Sequence, residues 1–268
     1  MARMTLPDLS LAVSRLRRAA PLVHNITNQV VANVTANALL AIGASPAMVM
    51  AEEEVGEFVR KAAALVVNLG TLTAPQRAAM HLATEAAGEA GVPWILDPVA
   101  AGATAFRLDT ARGLLGHRPQ VVRGNASEIL ALAGEVAGGK GVDSAHRPEA
   151  AREAARALAR RSGAVVAVTG ATDYVTDGEA MLAIANGHPM LTRVTGTGCT
   201  ATALIGAFLG AGFDGMAAAT AGLAVLGVVA EGAARMADKP GSFQVALLDG
   251  LYALEDADLA RQARISAA

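Results

Sequence analysis

The residues that could do chemistry stand directly after short apolar runs: His24-Asn25, Asn68-Leu-Gly70, Asp97-Pro98, Arg123-Gly-Asn125 and Thr169-Gly170. One carboxylate, one guanidinium and several small hydrogen-bonding groups make a set suited to a phosphorylated ligand with a metal. The strongest local feature is Thr195-Gly-Thr-Gly-Cys199, which leads into an apolar helical segment from Cys199 to Gly210. Glycines let a backbone turn tightly and aim successive N–H groups at one point, and a helix N-terminus adds about half a positive charge. Gly196, Thr197, Gly198 and Cys199 therefore form a ready anion site, although an ordinary glycine-rich loop accounts for the same spacing.

Taken singly, these residues each carry two readings. Cys199 falls in a first helical turn, where the helix field lowers a thiol pKa and favours thiolate; as a small buried hydrophobe it needs no chemistry. Asp97 before a proline is an Asx turn or a ligand for a metal or its water. Arg123 has no partner in the local sequence, which points to a phosphate contact rather than a salt bridge. Asn125-Ala-Ser-Glu128 is a capping pattern, so Glu128 by spacing alone is a helix cap. The run Gly134 to Gly141, GEVAGGKG, approaches a Walker A loop, but a glycine replaces the Ser or Thr that binds magnesium and the run follows a helical segment, so it is set aside. No complete GxGxxG opens an early βα turn, which argues against a dinucleotide oxidoreductase.

The elements that must hold these groups alternate: short Val, Ile and Leu runs, then longer Ala-rich helical segments. That order predicts an α/β fold, a mostly parallel sheet with helices on both faces, whose ligands bind beyond the carboxyl ends of the strands. Strands are predicted near 22–26, 47–50, 65–69, 94–96, 120–123 and 164–169, with a hairpin at 173–176 and 180–185 signalled by Asp177-Gly178. Thr73-Ala-Pro-Gln76 reads as a capping box and Gly91 as the stop of the helix between them; 148–162 reads as a helix ended by Gly163. With no repeat, linker or low-complexity tract in view, one domain spanning 1–268 is expected.

The chain of 268 residues is 53% hydrophobic but only 3% aromatic, so its apolar content is mostly Ala, Val and Leu, and part of that surplus is expected at a subunit interface. A net charge of −2 with no basic stripe argues against a nucleic-acid partner. A single cysteine excludes an intrachain disulfide framework and fits a reducing compartment, and Asp8, Arg15, Arg17 and Arg18 break the first apolar run, so a cytoplasmic protein without a signal peptide is expected. The apolar stretch 199–230 is split at Asp214 into pieces expected to be too short to span a bilayer, which leaves a buried helical hairpin.

Several blocks in order resemble the hydroxyethylthiazole kinase family, thiamine-salvage enzymes of the ribokinase-like superfamily, from about Pro21 to Tyr252. They are His24-Asn-Ile-Thr-Asn28 with Thr35-Ala-Asn37, Gly43-Ala-Ser-Pro-Ala-Met48, Asn68-Leu-Gly-Thr71, Leu96-Asp-Pro-Val99, Arg123-Gly-Asn-Ala-Ser-Glu128, Lys140-Gly-Val-Asp-Ser144, Thr169-Gly170, Val194-Thr-Gly-Thr-Gly-Cys199 and Pro240-Gly-Ser-Phe243. The resemblance implies a ribokinase-like three-layer sandwich, ATP as co-substrate, Mg2+, and a homotrimer with sites between subunits. By position it implies that Met48, Asn25 and Gly196 meet the thiazole alcohol, that Arg123 and Thr169 hold ATP, that Asp97 and Glu128 position magnesium, and that Cys199 is the base. Two other functions compete with it: a ribokinase-like ATP- or ADP-dependent dehydratase that repairs hydrated nicotinamide cofactors, and a nucleotide-binding regulatory module without turnover. Cys199 in place of the usual acid and the Met48 block speak against the first; Asp97, Glu128 and Cys199 at one site speak against the second. The resemblance gives no role to His146-Arg147.

Overall fold

A computed structural model describes residues 7–134 and 148–268. Among these, nine strands make one sheet: β1 (Leu22–Ile26), β2 (Ser45–Ala47), β3 (Ala64–Asn68), β4 (Trp94–Asp97), β5 (Val121–Asn125), β6 (Val165–Thr169), β7 (Asp173–Thr176), β8 (Met181–Ile184) and β9 (Ile265–Ala267). The spatial order is β2-β1-β3-β4-β5-β6-β7-β8-β9. From β2 to β6 the pairings are parallel; from β6 to β9 they are antiparallel.

Helices cover both faces, giving three layers. On one side α1 (Ala12–Ala19), α2 (Ala32–Ile42), α8 (Thr197–Gly210), α9 (Gly215–Met236), α10 (Pro240–Ala253) and α11 (Asp256–Gln262) share a core with Val23, Val66, Ile95, Val121 and Ala167. On the other, α3 (Glu52–Val59), α4 (Ala74–Ala90), α5 (Ala105–Leu115), α6 (Ala126–Ala133) and α7 (Pro148–Ser162) pack on Ile26, Leu65, Val67, Leu96 and Val122. Neighbouring residues such as Leu65, Val66 and Val67 point alternately to the two cores, which is why the central strands are apolar at every position rather than at every second one. Complete burial of a Val, Leu or Ile side chain stabilises by about 1.5–3 kcal/mol, so the two cores supply the main driving force.

The start and stop signals predicted for α4 are present, and Asp214, expected only to break the apolar stretch, also caps a helix. Thr73 and Gln76 form the reciprocal capping box of α4, Gly91 closes it in the left-handed region, and Asp214 caps α9 by accepting from the Ala217 N–H at 2.8 Å. Two expectations are corrected. The strand expected at 47–50 is instead Ser45–Ala47, an edge strand that accommodates Pro46 because its outer side needs no donor; Val49 packs beyond it, and its carbonyl bonds His24 Nε2 at 2.8 Å. The second half of the hairpin from 199 is also longer than expected: α9 has 22 residues and is long and apolar enough to cross a membrane, but 78% of its apolar window is buried inside this fold. β9 had no distinct sequence signal, being three residues at the end of the antiparallel edge. The segment 135–147, which holds Lys140-Gly-Val-Asp-Ser144, His146-Arg147 and most of the GEVAGGKG run, lies outside the described residues.

Candidate functional site

The carboxyl ends of β3, β4, β5 and β6 lie side by side, and the register pairs Asn68 with Asp97 and Asn125 with Thr169. Helix α8 runs up to them with its N-terminus. Gly196 caps α8 at φ +84°, and a Cβ there would stand 3.0 Å from methyl carbons of both Val31 and Val34, so glycine is required twice over. No side chain caps α8, which leaves its first-turn N–H groups free for an anion.

Arg123 lies against this turn. A Cβ on Gly198 would sit 2.9 Å from one terminal nitrogen of the guanidinium, so the glycine lets the cation reach the helix N-terminus. Arg123 Nη2 donates to Thr169 Oγ1 at 2.6 Å, Nη1 stands 3.8 Å from Asp97 Oδ2, and Nε is buried with no partner among the described residues. Two positive features therefore converge, and a buried donor is left over. Beside them opens a cavity of about 670 Å³ lined by Arg123, Thr169, Thr197 and Gly198 on one wall and by Leu191, Leu223 and Leu226 among others. A pocket with apolar walls and a cationic end suits a nucleotide's base and phosphates respectively.

Asp97 is fully buried, and burial pushes its pKa up to about 6 against the opposing pull of Arg123. Its Oδ2 accepts from Asn68 Nδ2 and from Thr202 Oγ1, both at 2.7 Å, while Oδ1 is buried without a partner. Glu128 does both things the sequence offered. It completes the capping box of α6, with Oε2 accepting the Asn125 N–H at 2.8 Å, and its Oε1 accepts the Ala100 N–H at 2.9 Å, which brings it close enough to raise the Asp97 pKa further. Among the described residues no three His, Cys, Asp or Glu side chains gather as a metal cluster. The unpartnered Asp97 Oδ1 with Glu128 nearby still fits a magnesium ion, which takes one or two carboxylates and completes its shell with phosphate and water.

Cys199 lies on the first turn of α8, and its Sγ takes the Asn68 Nδ2 hydrogen at 3.2 Å and the Asn28 Nδ2 hydrogen at 3.7 Å. Of the two readings the sequence left open for Cys199, thiolate is the one the surroundings disfavour: burial, with the Asp97 charge adding to it, pushes the thiol up to about 11. At neutral pH these surroundings favour the protonated thiol.

Arg123, Thr169, Asp97, Glu128 and the 196–199 turn are thus brought together as the sequence suggested. Asn25 is fully buried in β1, its Nδ2 donating to the Val23 carbonyl at 2.8 Å and its Oδ1 unpartnered. Met48 is half-buried in the loop after β2 and makes no hydrogen bond or core contact that joins it to Cys199. Sequence reasoning missed Thr202, whose position three residues after Cys199 puts both on one helix face. It also missed Arg107, whose Nη1 donates to the carbonyls of Leu69 and Val99 and ties two strand-end loops together.

Asp173 was missed too. It lines the cavity, accepts the Gly170 N–H at 2.9 Å, and burial lifts its pKa to about 6. The unfolded carboxyl ionises near 3.8, so between about pH 4 and 6 the folded state holds a proton that the unfolded state has lost, and stability falls as pH rises through that window. Asp173→Asn keeps the acceptor without the charge. It is expected to melt above the parent protein at pH 7.5, by roughly 1–2 kcal/mol after allowance for partial exposure, with the gap closing below about pH 4. Thermal melts across pH without nucleotide measure this, and a variant less stable at every pH would count against it.

A family model described as the hydroxyethylthiazole kinase family matches residues 13–257. The chain belongs to the hydroxyethylthiazole kinase family. It is 62% identical over 249 residues to the hydroxyethylthiazole kinase of Granulibacter bethesdensis, covering 93% of this chain and 91% of that one. It is also similar to the solved hydroxyethylthiazole kinase of Pyrococcus horikoshii OT3, with a TM-score of 0.90 and 46% identity over 97% of this chain and 98% of that chain. Among more distant folds, the Bacillus subtilis pyridoxal kinase in its ADP complex has a TM-score of 0.57 at 17% identity, covering 79% of this chain and 92% of that chain. That likeness supports the ribokinase-like fold alone.

Proposed function

We propose that this protein is an ATP-dependent kinase that phosphorylates the hydroxyl of 4-methyl-5-(2-hydroxyethyl)thiazole in thiamine salvage, with Mg2+ held by Asp97 and Glu128. Beyond the family membership, the observation that carries the reading is the Arg123 guanidinium laid against Gly198 at the uncapped N-terminus of α8, facing the cavity. Arg123 and Thr169 bind the ATP phosphates. The Thr197, Gly198 and Cys199 N–H groups stabilise the γ-phosphoryl oxygens as charge redistributes. Magnesium, when bound, offsets phosphate charge as a Lewis acid. Gly196 meets the thiazole alcohol through its backbone, with Met48 and Asn25 lining its pocket.

A homotrimer with sites between subunits fits the apolar surface. Leu40 on α2 and Val245 and Tyr252 on α10 are exposed, and these two helices pack against each other. Met48 beside the β2 edge would then meet the substrate at that boundary. A fully active monomer in sedimentation would remove this part of the proposal.

A coupled ADP-release assay with the thiazole alcohol, set against hydrated NADH, tests the function. Turnover of the alcohol supports the kinase; turnover of hydrated NADH alone would make the protein a repair dehydratase, and binding of ATP with no turnover of either a regulatory module.

On this reading Cys199 faces the acceptor hydroxyl, where a neutral thiol makes a weak base. A loose phosphoryl-transfer transition state demands little early deprotonation. Since general-base catalysis supplies about 10²- to 10⁴-fold, Cys199→Ala is expected to lose at most about 10²-fold in single-turnover rate with ATP binding nearly intact. Cys199→Asp is expected to stay active. A folded, ATP-binding but inactive Cys199→Asp together with an unimpaired Cys199→Ala would return Cys199 to the role of a packed thiol.

A further inference from the structure

Asn68 has been given no role so far, yet its side chain bonds Asn28, Gly70, Asp97 and Cys199. Its Oδ1 accepts from Asn28 Nδ2 at 2.8 Å and from the Gly70 N–H at 2.9 Å; its Nδ2 donates to Asp97 Oδ2 at 2.7 Å and to Cys199 Sγ at 3.2 Å. Both ends of the amide are committed, so a flip would set its carbonyl against a carboxylate and its NH2 against two donors. The side chain is buried, and such a network is high in cost if any member is lost. Thr202 donates to the same Asp97 oxygen at 2.7 Å from helix α8. With two donors on Oδ2 the carboxylate is held in one orientation, and Oδ1 is left without a partner among the described residues.

We propose that Asn68 and Thr202 are positioning residues that clamp Asp97 so that Oδ1 alone is presented to the divalent cation. The inference rests on Asp97 being a metal ligand, as set out above. Asn68 acts through the carboxylate, and its contact with Cys199 is secondary: the Nδ2 to Oδ2 bond is the shorter and is assisted by charge. Groups that orient a metal ligand from behind typically account for 10–100-fold in metal affinity.

The test is a Mn2+ titration followed by electron paramagnetic resonance in the presence of ADP, with the full-length protein, its Asn68→Ala and Thr202→Val variants, the double variant and Asp97→Asn. Asn68→Ala and Thr202→Val are expected each to weaken Mn2+ by about 10-fold or more, and the double variant by less than the product of the two, because both act on one oxygen. The KM for the thiazole alcohol stays within a few-fold of the parent value, while the Mg2+ concentration needed for half-maximal rate rises; a merely structural loss would lower the active fraction without that shift. Should Asn68→Ala fail to fold, Thr202→Val, which keeps the side-chain volume, carries the test alone. Parent-like Mn2+ affinity in the single variants alongside its loss in Asp97→Asn overturns the clamp and leaves the metal assignment standing. Parent-like affinity in Asp97→Asn overturns both. A loss in Asn68→Ala that vanishes in a Cys199→Ala background would move the effect to the thiol and also overturn the clamp.

Discussion

Asp97→Asn is expected to lower kcat by about 10³-fold or more while leaving the fold intact, because it removes a charge worth several kcal/mol to the metal-assisted step. The geometry makes this substitution unusually clean. An asparagine can place its oxygen where Oδ2 now accepts from Asn68 and Thr202, which points its NH2 along the unpartnered Oδ1 direction. The structural hydrogen bonds survive and the metal-facing atom becomes a donor. The buried carboxylate is also a burden on the ligand-free fold, since burial raises its pKa to about 6, so the neutral variant is expected to melt no lower than the parent at pH 7.5. Single-turnover phosphorylation and thermal melts on the same preparations separate the two quantities. A variant that kept more than a tenth of the activity would remove Asp97 from the reaction.

Arg123→Ala is expected to lower kcat/KM for ATP by about 10²- to 10³-fold, with the KM for the thiazole alcohol changed only a few-fold. Among the described residues that line the cavity, Arg123 is the only lysine or arginine, and its buried Nε has no hydrogen-bond partner among them. Removing it also leaves Asp97 without the positive neighbour that favours its ionised form. Arg123→Lys distinguishes charge from shape. A lysine supplies a point charge but lacks the planar fork that reaches Thr169 and a phosphate together, so it is expected to recover only part of the loss. If instead thiazole affinity alone changed in Arg123→Ala, the nucleotide would lie elsewhere, and the cavity between Thr169 and Leu226 would need another occupant.

The sequence by itself determined the layered α/β fold, because it writes periodicity and punctuation locally. Continuous apolar runs such as Leu65 to Val67 mean strands buried on both faces, and Thr73 with Gln76, Asp214 and Gly91 mark helix ends whose hydrogen bonds close within a turn. It also foretold that the polar residues ending these apolar strands gather at the sheet's carboxyl edge, where Asn68 pairs with Asp97 and Asn125 with Thr169. It failed at the β2 edge, where Ala47 to Met50 is apolar enough for a strand but the pairing begins two residues earlier, at Ser45, and Val49 packs against the core beyond it.

Only the tertiary structure decided how the site residues divide their work. Glu128 reads as a cap because its bond to Asn125 is local, and nothing local says that its second oxygen takes the Ala100 N–H across two strand ends. Thr202 and Asn68 meet on one oxygen of Asp97 although 134 positions separate them at the extremes of that contact, a juxtaposition set by α8 crossing the ends of β3 and β4. The state of Cys199 turned on the same point. Its place in a first helical turn argued for thiolate, but the carboxylate and the dry packing that surround it come from other strands, and together they hold the proton on sulfur. Charge interactions depend on distance and burial, which the linear order of residues does not record.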